Sequence, residues 1–119
     1  MPYVDGFVVP VPKANLAEYA KISRKAGKVW KEHGALEYRE CVGDDLDIEM
    51  GTPFARLCKL KSDETVVFAY IVYQSRSHRD KVNKKVLNDP RIKDMPPEKL
   101  MPFNPRRMTY GGFKVFVDV

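Results

Sequence analysis

One segment constrains the fold of this chain more than any other: Thr65-Val66-Val67-Phe68-Ala69-Tyr70-Ile71-Val72-Tyr73 is apolar at every position after its first. An unbroken run of β-branched and aromatic residues makes a strand. A strand with one wet face alternates apolar and polar side chains; this one does not, so both faces are predicted to be covered. A chain of 119 residues has room for one hydrophobic core. Its own helices can cover one face of a sheet, and the other face must then meet a second sheet or a second copy of the chain. The expectation is a homodimer with this strand near its centre.

The surrounding segments supply the rest of the sheet and its helices. Tyr3 to Val11 is a second β-branched and aromatic strand, closed by Pro12. Asn15 is placed to cap a helix, with Glu18 three residues on as in a capping box, and Gly34 supplies a C-terminal stop, which predicts a helix over Leu16 to His33. At the helical period Leu16, Tyr19, Ile22, Ala26 and Trp30 share one side, while Lys21, Arg24, Lys25, Lys28 and Lys31 share the other.

Ala35 to Gly43 reads as a strand with Leu36, Tyr38 and Val42 on one face and Glu37, Arg39 and Cys41 on the other. Asp44, Asp45, Asp47 and Glu49 follow as an acidic stretch that lacks the glycine and terminal glutamate positions of an EF-hand, so it reads as a solvated turn. Phe54 to Leu60 is predicted to be a short edge strand or an extended arm.

Ser77 is predicted to cap a second helix, with Asp80 at its third position, that ends where Asn88-Asp89 meets Pro90. His78, Arg79, Val82 and Val86 share one face of it. Pro96, Pro97, Pro102 and Pro105 make Met95 to Pro105 an ordered loop or single turn, and Arg106 to Val119 a closing strand whose Gly111-Gly112 pair marks a bulge or a close backbone approach. The order is βαββαβ. Two right-handed βαβ units give an α+β, ferredoxin-like antiparallel sheet with two helices on one face and the first and third strands central, as one domain over residues 1–119.

Composition removes several function classes. Hydrophobic residues at 44% and charged residues at 31% are values of a folded globular chain. Charged residues or prolines interrupt every apolar run, and the Met1-Pro2-Tyr3-Val4-Asp5-Gly6 start lacks the basic and apolar regions of a signal peptide, so a cytoplasmic location away from the membrane is expected. Cys41 and Cys58 have no Cys-x-x-Cys partner and lie in apolar stretches, which predicts small buried thiols and no metal site. No Gly-rich phosphate loop, nucleophile elbow or catalytic carboxylate pair is present, and no cofactor is expected. A net charge of +5 leaves an anionic partner open.

Several segments together resemble the YbaA-like family of uncharacterised bacterial proteins: Glu32-His33-Gly34-Ala35-Leu36-Glu37-Tyr38, Glu64-Thr65-Val66-Val67-Phe68, Ser77-His78-Arg79-Asp80-Lys81-Val82-Asn83, Asn88-Asp89-Pro90-Arg91 and Arg107-Met108-Thr109-Tyr110-Gly111-Gly112-Phe113-Lys114. The resemblance spans nearly the whole chain; Asn104-Pro105 departs from the Asp-Gly associated with that turn. It implies a fold similar to dimeric α/β-barrel proteins such as the cofactor-independent antibiotic-biosynthesis monooxygenases, and a homodimer.

In such barrels the small-molecule pocket lies between sheet and helices. On that analogy His78, Tyr73 and Tyr110 are the candidate catalytic groups, and Trp30, Arg79 and Asn83 the candidate ligand-binding groups. His78 stands in the first turn of a helix, where the dipole favours a neutral ring able to act as a base. Arg79 and Asn83, one turn apart, could hold a carboxylate or enolate oxygen. The leading expectation is therefore a protein that binds a small organic molecule between sheet and helices, with cofactor-independent oxygenase-like chemistry as its enzymatic form. The alternatives are an RNA-binding module using the lysine-rich helix face with Lys81, Lys84, Lys85, Arg106 and Arg107, and a non-catalytic structural dimer.

Overall fold

The computed structural model describes residues 1–119. Four strands form one antiparallel sheet: β1 (Tyr3–Pro12), β2 (Glu37–Val42), β3 (Glu64–Tyr73) and β4 (Thr109–Lys114), in the order β2-β3-β1-β4. The two long apolar strands are central, as their composition requires. Helices α1 (Leu16–Glu32) and α3 (Arg76–Leu87) lie on one face, with single turns α2 (Phe54–Leu57), α4 (Pro90–Lys93) and α5 (Pro97–Leu100) in the connections. This is the ferredoxin-like α+β arrangement.

Register decides which side chains meet the helices. Phe7 pairs with Ala69 and with Tyr110, and Tyr38 pairs with Ile71, so Asp5, Phe7, Val9 and Val11 share the helix side with Val67, Ala69, Ile71, Tyr73, Tyr38, Glu40 and Tyr110. The core between sheet and helices has two lobes, one around Val29, Ile71, Tyr73, Val82 and Val86, the other around Val9, Val11, Tyr19 and Val67, with Phe7 packed against both. Each such valine stabilises the fold by about 1.5–3 kcal/mol. The opposite face carries Val4, Val66, Phe68, Tyr70 and Phe113, and Phe68 and Phe113 are 47% and 63% exposed. The molecule measures 38 × 38 × 20 Å, a slab of one sheet and one layer of helices.

Several local expectations change. Asn15 does sit at the N-cap of α1, but its side chain makes no capping bond; its Nδ2 instead donates to the Pro102 carbonyl at 3.1 Å and ties the Pro-rich segment to the helix start. Phe54–Leu57 is a helical turn and not an edge strand or arm. It is fastened by Arg107, which donates to the Cys58 and Lys59 carbonyls at 3.0 Å each and pairs with Glu64. Ser75, not Ser77, caps α3: its Oγ accepts the His78 amide at 3.1 Å.

Cys41 is exposed because it lies on the outward row of an edge strand, and Cys58 is half-buried; both are free thiols. The last strand stops at Lys114, and its register with β1 is unbroken through Gly111 and Gly112, so no bulge forms; the pair marks a close approach instead, since a Cβ at Gly112 would stand 2.8 Å from Cε2 of Tyr3. Gly34 has φ +119°, as its place after the end of α1 demands. No helix is long and apolar enough to cross a membrane.

Candidate functional site

Two carboxylates stand in the inward rows of the sheet, and each organises a cluster. Asp5 is 1% exposed. Arg79 of α3 reaches it with an Nη1 to Oδ1 bond of 2.6 Å, the Tyr110 hydroxyl donates to Oδ2 at 3.4 Å, and the Asn83 Nδ2 donates to Oδ2 at 3.5 Å. Asn83 in turn accepts at Oδ1 from Trp30 Nε1 and from the Tyr73 hydroxyl, both at 3.1 Å. Arg79 also lies 4.9 Å from the centre of the Tyr3 ring and donates from Nε to Asp80 at 2.8 Å. Burial first, and the Asp5 charge second, push the Tyr73 and Tyr110 phenols above the usual range.

Glu40 organises the second cluster. Tyr19 from α1 donates its hydroxyl to Oε1, and Tyr38 from β2 donates its hydroxyl to Oε2 at 2.7 Å. Burial and the adjacent carboxylate raise the pKa of both phenols well above the ordinary value of 10.0. Tyr38 lies directly on the backbone of α1, since a Cβ at Gly27 would be 2.7 Å from its ring. The sequence accepts a glycine inside a helix, at about 1 kcal/mol relative to alanine, where the tyrosine needs that space.

Behind this cluster is a cavity of about 180 Å³ between α1, the sheet and the segment from Ile92 to Met108. Of its 17 lining residues 14 are hydrophobic, including Phe7, Trp30, Ile71 and Phe103. Tyr19, Ser23, Tyr38 and Glu40 also line a wider groove of about 710 Å³ between α1 and β2, whose far side carries Arg24, Lys28 and Lys31. These four residues form a polar partition between an apolar chamber and a cationic groove. Trp30 is the link to the first cluster, with its ring in the chamber wall and its N–H on Asn83.

The residues singled out from the sequence thus divide. Trp30, Tyr73, Arg79, Asn83 and Tyr110 are brought together around Asp5, and of these only Trp30 lines the chamber. His78 lies outside it. Its Nδ1 accepts the amide of Gln74, the residue before the cap, at 3.0 Å while its own amide donates to Ser75 Oγ, so both of these groups are used to fix the start of α3. That bond commits the Nδ1 lone pair. The Tyr73 and His78 rings meet edge to face with centroids 6.0 Å apart. Asp5, Glu40, Tyr19 and Tyr38 were not among the candidates, although a visible signal existed: Asp5 and Glu40 fall on the inward step of strands whose other inward residues are apolar.

Residues 2–105 match the family described as protein of unknown function (DUF1428). The chain belongs to the DUF1428 family. Among curated relatives, "Uncharacterized protein YbaA" of Escherichia coli (strain K12) is 42% identical over 118 residues, covering 99% of each chain, and the protein of the same name from Shigella flexneri gives the same figures. Among solved structures, an uncharacterized NIPSNAP domain protein from Burkholderia xenovorans superposes with a TM-score of 0.61 at 16% identity, covering 98% of this chain and 99% of the other. That likeness extends over the whole DUF1428 chain and concerns its fold.

Proposed function

We propose that this DUF1428 protein is a cytoplasmic homodimer that binds a small, largely apolar organic molecule in the chamber between α1 and the sheet. The observation that carries the reading is the chamber itself, an apolar space with one polar wall built from Tyr19, Ser23, Tyr38 and Glu40. Few convergent polar groups in an otherwise apolar cavity are the usual composition of a small-molecule site. Its volume is below the about 300 Å³ at which drug-sized pockets begin, so the ligand is small.

A second copy is expected on the outer sheet face. Only 17 of 119 residues are buried in the single chain, and Phe68 and Phe113 stand uncovered beside Tyr70. Burying such a patch is the favourable move for a two-layer slab. Exposed aromatics on a four-stranded sheet also suit stacking by single-stranded RNA. Here, however, the cations of α1 project from the opposite side of the molecule, and a strand tracking along both would have to pass around the slab, which favours the homodimer.

Catalysis in such a chamber requires a base near the ligand, and Glu40 with its two phenols is the nearest titratable set. Cofactor-independent oxygenase-like chemistry is the enzymatic form of this reading. Native mass spectrometry of freshly purified protein tests binding and assembly together. The expected result is a dimer that retains a small organic mass, or takes up an added phenyl-bearing probe, and loses it when Ala69→Leu narrows the chamber. A monomer with no uptake at millimolar probe would overturn the reading.

A further inference from the structure

We infer that the polar wall of the chamber selects a ligand with a protonated amine, held by Glu40 and flanked by aromatic rings. This rests on the chamber being a ligand site and names the chemistry it takes. Donors and acceptors at the wall set the chemistry of the ligand. Both phenol hydrogens at the wall are already given to Glu40, Tyr19 to one oxygen and Tyr38 to the other. Ser23, the remaining hydroxyl, stands one helical turn after Tyr19 on the same wall. What the wall still offers inward is mainly acceptors, the spare lone pairs of the carboxylate and the Tyr38 oxygen, with Ser23 the one hydroxyl whose hydrogen is not given to Glu40.

A ligand that meets mainly acceptors must bring N–H or O–H donors. Charge narrows the choice to a cation. Glu40 is the one charged side chain turned toward the chamber, since Arg39 lies on the outward row and is spent on Glu37 at 2.9 Å with both side chains half-exposed. The rings of Trp30 and Tyr38, 6.0 Å apart, and of Tyr19 and Phe103, 5.7 Å apart, border the same space. Aromatic faces around a carboxylate attract a cation by quadrupole and by charge together. An anionic ligand would instead meet Glu40 across a short, partly dry distance. Arg24, Lys28 and Lys31 could hold an anion only in the outer groove, on the solvated face of α1.

Trp30 is the sole tryptophan and part of the chamber wall, so its fluorescence reports occupancy directly. The experiment titrates the full-length protein with phenethylamine, phenethyl alcohol, phenylacetate and N-acetylphenethylamine. Phenethylamine is expected to bind at least about tenfold more tightly than the other three, and Glu40→Gln to abolish that preference. Equal or tighter binding of phenylacetate or the alcohol, or a preference that survives Glu40→Gln, overturns the inference while the chamber remains a ligand site. Binding of none of the four overturns the chamber reading itself. Should Glu40→Gln fail to fold by circular dichroism, the acetylated amine in the native protein decides the matter: it keeps the N–H and loses the charge, and binding equal to phenethylamine sinks the proposal.

Discussion

A methyl group on Gly27 would stand 2.7 Å from Cδ1 and 2.8 Å from Cε1 of Tyr38. Gly27→Ala therefore sets two effects against each other. Alanine improves an interior helix position by about 0.5–1 kcal/mol, whereas forcing a ring out of a packed position costs about 1–3 kcal/mol. The second is larger, and a net loss of about 1–2 kcal/mol in urea unfolding is expected. In a Tyr38→Ala background the same substitution should become stabilising; a loss of equal size in both backgrounds would show that Tyr38 is not the cause.

Asp5 is the most deeply buried charge in the molecule, with Arg79 2.6 Å away. Removing one partner of a buried pair leaves the other uncompensated, so Asp5→Ala and Arg79→Met should each cost about 3–5 kcal/mol. The double variant should cost less than the sum. Additive losses in the cycle would mean that the two side chains do not depend on each other.

Phe68 and Ile71 belong to the same strand and point to opposite faces. Ile71 is 3% exposed beneath α1 and α3, and Ile71→Asp should leave no cooperative unfolding transition. Phe68→Asp should keep native circular dichroism and yield a monomer in analytical ultracentrifugation. A Phe68→Asp protein that sediments like the parent would place any subunit contact elsewhere.

High pH tests the buried phenols. Tyr19, Tyr38 and Tyr73 hold their protons more tightly when folded than their ordinary pKa of 10.0, through burial first and the nearby carboxylates second. Above that pH the unfolded chain releases protons that the folded chain retains. Stability that is constant below pH about 10 should then decline by about 1.4 kcal/mol per pH unit for each such phenol. Tyr38→Phe should flatten the slope by one phenol, as read from unfolding transitions across pH 9 to 11; an unchanged slope would contradict it.

The architecture was legible because it rests on hydrophobic pattern. The unbroken apolar run of β3 and the amphipathic stripe of α1 placed the central strands and the helix face correctly. Local chemistry was harder to read. Ser75 and Ser77 are both plausible caps, and the choice depends on which oxygen reaches the His78 amide. Phe54–Leu57 has no periodicity of its own; its helical turn is held by Arg107, about fifty residues away.

The same limit applies to the candidate site. His78, Tyr73, Tyr110, Arg79 and Asn83 are recognisable as reactive types, whereas nothing in the types of Glu40 and Asp5 sets them apart from the other carboxylates of the chain. Their significance is positional: each occupies an inward step of a strand, which fixed register turns toward the helices, burying Asp5 and half-burying Glu40. Period-two counting applied to carboxylates would have found both.

Residues far apart in the chain complete the first strand, since Tyr3 pairs with Lys114 on one side and with Tyr73 on the other. During synthesis β1 therefore emerges early and keeps one edge unsatisfied until Lys114 clears the ribosome. An apolar strand waiting that long is open to mispairing with neighbouring nascent chains, a consequence of the long-range wiring of the sheet.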